Sequence, residues 1–117
     1  MNLTKHRARK ARDARTYYWK HVFRRMSKVL SKNYPTSDVT PLQLWSLAKR
    51  QKLRCSISGR KLTSENISPD HVHAAIKGGQ TTLSNIQLVR KEVNYAKHTM
   101  TEKELLSLCV DIVNHNA

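Results

Sequence analysis

Apolar residues recur at helical spacing in three long stretches of the 117-residue chain. The first stretch, residues 17–30, is predicted to form an amphipathic helix. Its apolar positions are Tyr18, Val22, Met26 and Val29, with Trp19, Phe23 and Leu30 recurring less regularly. The other two stretches lie on either side of a segment that favours strands, so the pattern predicts an α+β chain with helices at both ends.

The second helix has a well-marked start. Pro35 and its polar neighbours form a break after the first helix. Thr40 is then a good N-cap, Pro41 occupies the first helical position and Gln43 completes a capping box. This helix is predicted to end near residues 51–53 and to pack its apolar side, Leu42, Leu44, Trp45, Leu47 and Ala48, against the core.

The last helix begins with a second capping box, formed by Thr101 and Glu104. Its apolar residues cover one broad face: Leu105, Leu108, Cys109 and Ile112, with Leu106, Val110 and Val113 beside them. Nothing in this stretch carries chemistry, so it is predicted to be a packing helix.

The middle of the chain has the pattern strand, loop, strand, helix. Residues 67–73 are short, partly β-branched and bounded by Pro69 and a pair of glycines, and residues 85–89 alternate apolar and polar positions. Val89, Val93 and Ala96 then recur at helical spacing. Residues 54–58 are predicted to form a further short strand, followed by a turn at Gly59.

The charge of the chain indicates a polyanionic partner. The net charge is +14, the isoelectric point is near 10.3, and residues 1–33 contain eleven Lys or Arg residues but only one acid. A solvated helix face normally mixes signs, so we predict phosphate contacts. The residues predicted to contact DNA are Arg7, Arg9, Lys10, Arg12, Arg15, Lys20, Arg24, Arg25 and Lys77. Residues 1–38 are interpreted as a basic helical arm and linker, of which residues 2–15 are expected to become helical on DNA.

The cysteines and the hydropathy pattern indicate the cellular compartment in which the protein is expected. Cys55 and Cys109 are far apart and belong to no Cys-x-x-Cys pair, so both are predicted to be free, buried apolar residues. No apolar run approaches the length of a membrane span, and no signal-peptide core is present. A cytoplasmic protein that does not bind a membrane is therefore expected.

Three polar residues in the middle segment suggest chemistry. Asp70 and His71 lie near the end of the first predicted strand, and Asn94 lies on the helix that follows the second. A strand-loop-strand-helix layout can bring these residues together. A carboxylate, an imidazole and an amide oxygen suit one hard cation with a base beside it.

In order and spacing, this segment resembles the HNH endonuclease family, the ββα-metal nucleases. The resemblance lies in Asp70-His71, the loop Lys77-Gly78-Gly79, the run Asn85 to Leu88, and Asn94 followed by Lys97; it extends weakly upstream through Cys55-x-x-Ser58-Gly59 and covers about half of the chain. It implies an HNH nuclease domain over residues 39–117, with a ββα-metal motif between a supporting helix and the packing helix.

The resemblance also implies a role for each matching residue. His71 would be the general base, Asp70 and Asn94 would be metal ligands, and Asn85 would tie the loop and orient the histidine without touching the metal. Lys97 would contact a phosphate. Because oxygen ligands are hard, the expected cofactor is one Mg²⁺ or Mn²⁺ ion.

Two further histidines could belong to the site, and a structural zinc ion is common in the family. His73 would share a strand face with His71 and assist with phosphate, or would be a surface histidine of the loop. His98, one turn after Asn94, would be a second ligand, a phosphate contact or an uninvolved surface residue. No structural zinc is predicted, because Ser58 stands where many family members have cysteine and no second cysteine pair is present.

The sequence therefore predicts a metal-dependent endonuclease that hydrolyses phosphodiester bonds and nicks one strand of double-stranded DNA, as a monomer or a homodimer. Its compact form resembles phage-borne members of the family, including homing endonucleases, which implies the host cytoplasm. The main alternative is a catalytically inactive nucleic-acid-binding module on the same scaffold. RNA or branched DNA as substrate, or a non-specific toxin nuclease, are further alternatives.

Overall fold

The computed structural model describes the backbone of residues 3–117 and the side chains of residue 15 and residues 17–117. It contains the helices α1 (Leu3–Asn33), α2 (Pro41–Arg50), α3 (Lys91–Lys97) and α4 (Glu102–Asn116), and the strands β1 (Ile67–His71) and β2 (Ile86–Arg90). Single 3₁₀ turns lie at Ala75–Lys77 and Leu83–Asn85. The mixed α+β class predicted from the apolar pattern is confirmed. In the part of the chain that the structure describes, no helix is long and apolar enough to cross a membrane.

Helix α1 contributes its second half to the hydrophobic core. Trp19, Val22, Phe23 and Leu30 are buried, whereas Tyr18 and Val29 are about half exposed. The predicted face is therefore confirmed only in part: Val22 is buried and Met26 packs against the core, but the side chains that recurred less regularly in the sequence are the other core residues of this helix. They are buried because α2 packs on that side of α1. The core is completed by Val39, Leu44, Ala48, Cys55, Leu62, Ile67, Ile86, Leu88 and Val89.

Helix α2 begins as predicted. The side chain of Thr40 accepts a hydrogen bond from the backbone of Gln43, and the side chain of Gln43 accepts one from the backbone of Thr40. Trp45 packs against Phe23, with 6.0 Å between ring centroids. The predicted apolar side is only partly buried, however, because Leu42 is largely exposed at the first turn.

Residues 54–58 do not form the predicted strand. The chain turns back at once through Gly59, whose φ of 73° is in the left-handed region that glycine adopts easily. Only an isolated bridge between Arg54 and Lys61 remains. Cys55 is buried there and free, as predicted.

Helix α4 departs most from expectation. The capping box of Thr101 and Glu104 is confirmed. Beyond the first turn, however, the helix leaves the body of the protein, and Leu105 is its only buried residue. The prediction of a packing helix is therefore wrong, and so is the prediction that Cys109 is buried, because this free thiol is exposed.

Candidate active site

The candidate site lies where β1 ends beside α3. Strands β1 and β2 are antiparallel, with Asp70 opposite Gln87 and His71 opposite Ile86. Helix α3 follows β2 without a loop, so it returns across the same two strands. The strand-loop-strand-helix layout predicted from the sequence is confirmed.

Asp70 is buried in a polar network. Only 4% of the residue is exposed. Its Oδ2 accepts a hydrogen bond of 2.9 Å from Nε2 of Gln87, the residue opposite it in the sheet. The ammonium of Lys97 lies 3.1 Å from Oδ2 and 3.3 Å from Oδ1. A buried carboxylate must be paired, and this network supplies the partners of Asp70.

Lys97 is buried and is not exposed to any surface that a phosphate could reach. Its exposure is 0%, and its Nζ also donates a 3.0 Å hydrogen bond to the backbone oxygen of His71. The predicted phosphate contact by Lys97 is therefore wrong. The residue instead ties α3 to the end of β1, and it holds Asp70 and the backbone of His71 together.

His71 is half-buried at the end of β1. Its Nε2 lies 2.9 Å from Oγ1 of Thr81, a buried residue of the loop between the strands. The ring of Tyr34 contacts the imidazole edge to face, with 4.7 Å between centroids. Burial lowers the pKa of His71 below its ordinary value; the charge of Asp70 opposes this shift and that of Lys97 adds to it. The imidazole is therefore neutral at neutral pH and able to accept a proton.

Asn94 lies on the face of α3 that meets β1. Its side-chain nitrogen donates a 2.8 Å hydrogen bond to Oγ of Ser68. Ser68 and Asp70 are two residues apart in a strand and so share one face. The bond uses the amide nitrogen and leaves the amide oxygen Oδ1 free to accept.

Asp70, His71 and Asn94 line one cavity of about 280 Å³. The structure thus brings together the three residues that the sequence singled out as a chemical site. The remaining lining residues come from the linker, β1, the loop and the end of α3: Tyr34, Pro69, Ala74, Ala75, Ile76, His98 and Thr99.

Asn85 holds the loop between the strands. Its Oδ1 accepts a hydrogen bond from the backbone of His73 at 2.8 Å, and its Nδ2 donates to the backbone oxygens of His73 and Gln80 at 3.0 and 2.7 Å. Gly79 passes so close to the same segment that a Cβ would lie 1.9 Å from the backbone oxygen of His73. The loop that carries Thr81 to His71 is therefore closed by one amide side chain and one residue without a side chain.

The two remaining histidines have different surroundings. His73 does not share a face with His71, because β1 ends at His71. Its Nε2 lies 3.1 Å from the backbone oxygen of Lys77, and it lines a separate depression against the first turn of α4. His98 is exposed at the C-cap of α3 and lines the cavity together with Asn94. Of the two, only His98 is placed near the candidate site.

The predicted DNA contacts whose side chains the structure describes are on the surface. Exposed side chains among the predicted DNA contacts are those of Arg15, Lys20, Arg24, Arg25 and Lys77. The predicted contacts by Arg7, Arg9, Lys10 and Arg12 lie outside the described side chains.

The oxygen donors of the cavity fit one hard cation. A carboxylate offers about four lone-pair positions, and the contacts of Asp70 with Gln87 and Lys97 leave room on Oδ1. Asn94 adds an amide oxygen. Mg²⁺ typically takes one or two protein oxygens and completes its shell with water and phosphate oxygens. Within residues 17–117, no group of three or more His, Cys, Asp or Glu residues could hold a metal, so any metal site here depends on Asn94.

Several site residues were not found from the sequence. Gln87 belongs to the site because the register places it opposite Asp70, and its polar position inside a buried strand was the available signal. Tyr34 lies in a segment interpreted only as a break, and Thr81 in a loop; both are recognisable only from their contacts with His71.

Comparison of the chain with protein-family models found no match. Comparison with curated proteins found no match either. The functional argument therefore depends on the residues and the geometry of the cavity.

Proposed function

We propose that this protein is a metal-dependent DNA endonuclease of the HNH type that nicks one strand of a duplex. The observation that carries the proposal is the meeting of Asp70, His71 and Asn94 at one cavity between β1 and α3. A neutral base and two hard oxygen ligands in one cavity are the groups that phosphodiester hydrolysis requires.

His71 is the proposed general base. Its lowered pKa keeps the imidazole neutral at physiological pH, so it accepts a proton from the attacking water. The contacts with Thr81 and Tyr34 hold the ring in one orientation. If Nε2 donates its proton to Thr81, Nδ1 is the nitrogen that receives the proton from water.

Asp70 and Asn94 are the proposed metal ligands, through Oδ1 of each residue. A divalent cation held there would stabilise the negative charge that develops on the phosphate and on the leaving oxygen. Lys97 and Gln87 position Asp70, and Ser68 positions Asn94. The DNA backbone would be held by the exposed cations of α1 and by Lys77, which contact phosphates and supply affinity rather than sequence preference.

The test is a nicking assay on supercoiled plasmid with Mg²⁺, Mn²⁺, Zn²⁺ or chelator. The wild-type chain is expected to yield open circles with Mg²⁺ or Mn²⁺ only. Replacing His71→Ala removes the base and should slow nicking about 10²–10⁴-fold, while DNA retention in a gel stays as it was.

His115→Ala is the matched control, because this histidine is exposed on α4 and absent from the cavity. It should nick at the wild-type rate. Full activity of His71→Ala would refute the assignment of the base. Retention of DNA without nicking under every metal, on plasmid and on genomic DNA, would refute the nuclease proposal.

Deleting residues 1–16 tests the basic arm. This segment contains Lys5, Arg7, Arg9, Lys10, Arg12 and Arg15. Each lost phosphate contact should reduce the slope of log affinity against log salt by about 0.9. Binding is expected to weaken with a shallower slope in a fluorescence titration, and an unchanged affinity would remove the arm from the interface.

The second candidate is a nucleic-acid-binding module without catalysis. The observation that favours it is the engagement of Asp70 by Lys97 and Gln87, which is also how a purely structural buried carboxylate is satisfied. Under this alternative, His71→Ala and the wild type retain DNA equally and neither cuts.

A further inference from the structure

The apolar face of α4 is not covered by any residue that the structure describes. Leu106, Leu108, Val110, Ile112 and Val113 are between 45% and 65% exposed, and Cys109 is exposed as well. Six apolar side chains in the 15-residue helix α4 form a contiguous patch of the kind that marks an interaction surface. This patch requires a partner that is apolar.

The charge of α4 argues against nucleic acid as that partner. The helix carries Glu102, Glu104 and Asp111 against one cation, Lys103, so its formal charge is −2 while the rest of the chain carries +16. A polyanion would be attracted to the body of the protein and repelled by this helix. The face is therefore suited to a protein surface.

The order of residues in α4 points to a second copy of the same helix. From residue 105 to residue 113, apolar and polar positions read the same in both directions about Cys109. If two copies lie antiparallel and centred on Cys109, residue 106 is opposite residue 112 and residue 108 opposite residue 110, and both pairs are apolar. Leu105 is buried in its own chain, and Ser107 and Asp111 lie on the side of each helix away from the partner. Such self-complementarity is what an isologous twofold contact requires.

The charged positions favour the antiparallel arrangement over the parallel one. Glu102 precedes Cys109 by seven residues, about two turns, and so lies on the same side of the helix. In a parallel pair in register it would oppose the same carboxylate of the other copy, whereas in the antiparallel pair it faces Asn116. The helix dipoles are then also opposed, with each positive N-terminus beside a negative C-terminus.

We propose that α4 is a homodimerisation helix that packs antiparallel against α4 of a second copy, with Cys109 at the twofold axis. The seam consists of Leu106, Cys109, Ile112 and Val113. The inference goes beyond the nuclease proposal and is independent of it, because its tests use mass and cross-linking and no cleavage.

The first test is the mass of the full chain in solution by sedimentation equilibrium. The wild type is expected at twice the chain mass of 13.5 kDa. Ile112→Glu places a charge in the seam without disturbing the monomer, because the residue is exposed there, and it should return the mass to that of one chain. Ser107→Glu adds the same charge on the opposite side of the helix and should remain dimeric.

The second test examines the geometry. A short bismaleimide should join two wild-type chains through Cys109, and Cys109→Ser should abolish the product, since Cys55 is buried. In the Cys109→Ser background, Glu102→Cys and Asn116→Cys chains should cross-link efficiently only when mixed.

Three results would overturn the proposal. The first is a monomeric wild type at every concentration. The second is a dimer that survives Ile112→Glu, which would place the contact elsewhere, for example on another surface of the body. The third is cross-linking of Glu102→Cys chains with themselves, which would show a parallel pair.

Discussion

The ββα segment and helix α4 differ in what holds them. In residues 67–97 the polar side chains are paired across elements: Asp70 with Gln87 and Lys97, His71 with Thr81, and Asn94 with Ser68. In α4 the polar groups are satisfied within the helix or by solvent, and the apolar side chains have no described partner beyond Leu105. Both segments have clear helical or strand patterns in the sequence.

The comparison separates local from long-range information. A hydrophobic stripe indicates that a face will be covered but does not identify what covers it. A polar residue inside a buried strand has fewer solutions, because it must find a specific partner at hydrogen-bond distance. The packing of the ββα segment is therefore specified by contacts among its own residues. The sequence of α4 specifies that the segment is a helix but not what packs against it.

The largest difference is expected when one lysine in each region is replaced by methionine. Lys97→Met leaves the Asp70 carboxylate buried without its cation and should lower the free energy of unfolding by about 3–5 kcal/mol. Lys103→Met on α4 removes an exposed charge and should change it by less than about 0.5 kcal/mol. Urea denaturation measures both values, and similar losses in the two variants would contradict the comparison.

The double variant Asp70→Asn, Lys97→Met separates charge from packing. With both charges absent, Gln87 keeps an acceptor on residue 70 and no unpaired ion remains. Much of the stability lost in Lys97→Met should return. If the stability does not return, the hydrogen bond from Lys97 to the backbone of His71 contributes more to stability than the ion pair with Asp70.

The next largest difference in stability is expected between alanine substitutions of two leucines, one in each region. Leu88 in β2 is fully buried, so Leu88→Ala should cost about 2–5 kcal/mol through lost burial and a cavity. Leu108→Ala in α4, measured at a dilution where α4 is unpaired, should cost less than about 0.5 kcal/mol. A large loss at Leu108 under these conditions would mean that α4 packs on its own chain.

The smallest effect is a dependence of stability on pH. Because burial lowers the pKa of His71, the unfolded chain binds more protons than the folded chain between the folded pKa and the ordinary value near 6.5. The free energy of unfolding should therefore fall as the pH drops through this window. Below the folded pKa, His71 should cause no further change. His71→Gln should abolish that part of the curve, measured by urea denaturation at several pH values.

Much of the site followed from the sequence. Asp70, His71 and Asn94 were recognisable because a strand, a loop, a strand and a helix in this order return the chain to its start, and the structure places all three at one cavity. The role of Lys97 was not recognisable, because a lysine on a short helix is usually exposed. It is buried because it pairs with Asp70, 27 residues earlier in the chain, and no local pattern records this contact.

By itself, the sequence determined the α+β class, both capping boxes, the two strands and the helix after them, because these features arise from spacing and hydrogen bonds within a few residues. Only the tertiary structure decided which side of α1 is buried, that residues 54–58 turn back before forming a strand, that Tyr34 and Thr81 hold His71, and that α4 leaves the body. Each of these features depends on which surface, distant in the sequence, is available for contact. The hydrophobic effect has no preferred direction and does not depend on separation in the sequence, so local patterns cannot identify that surface.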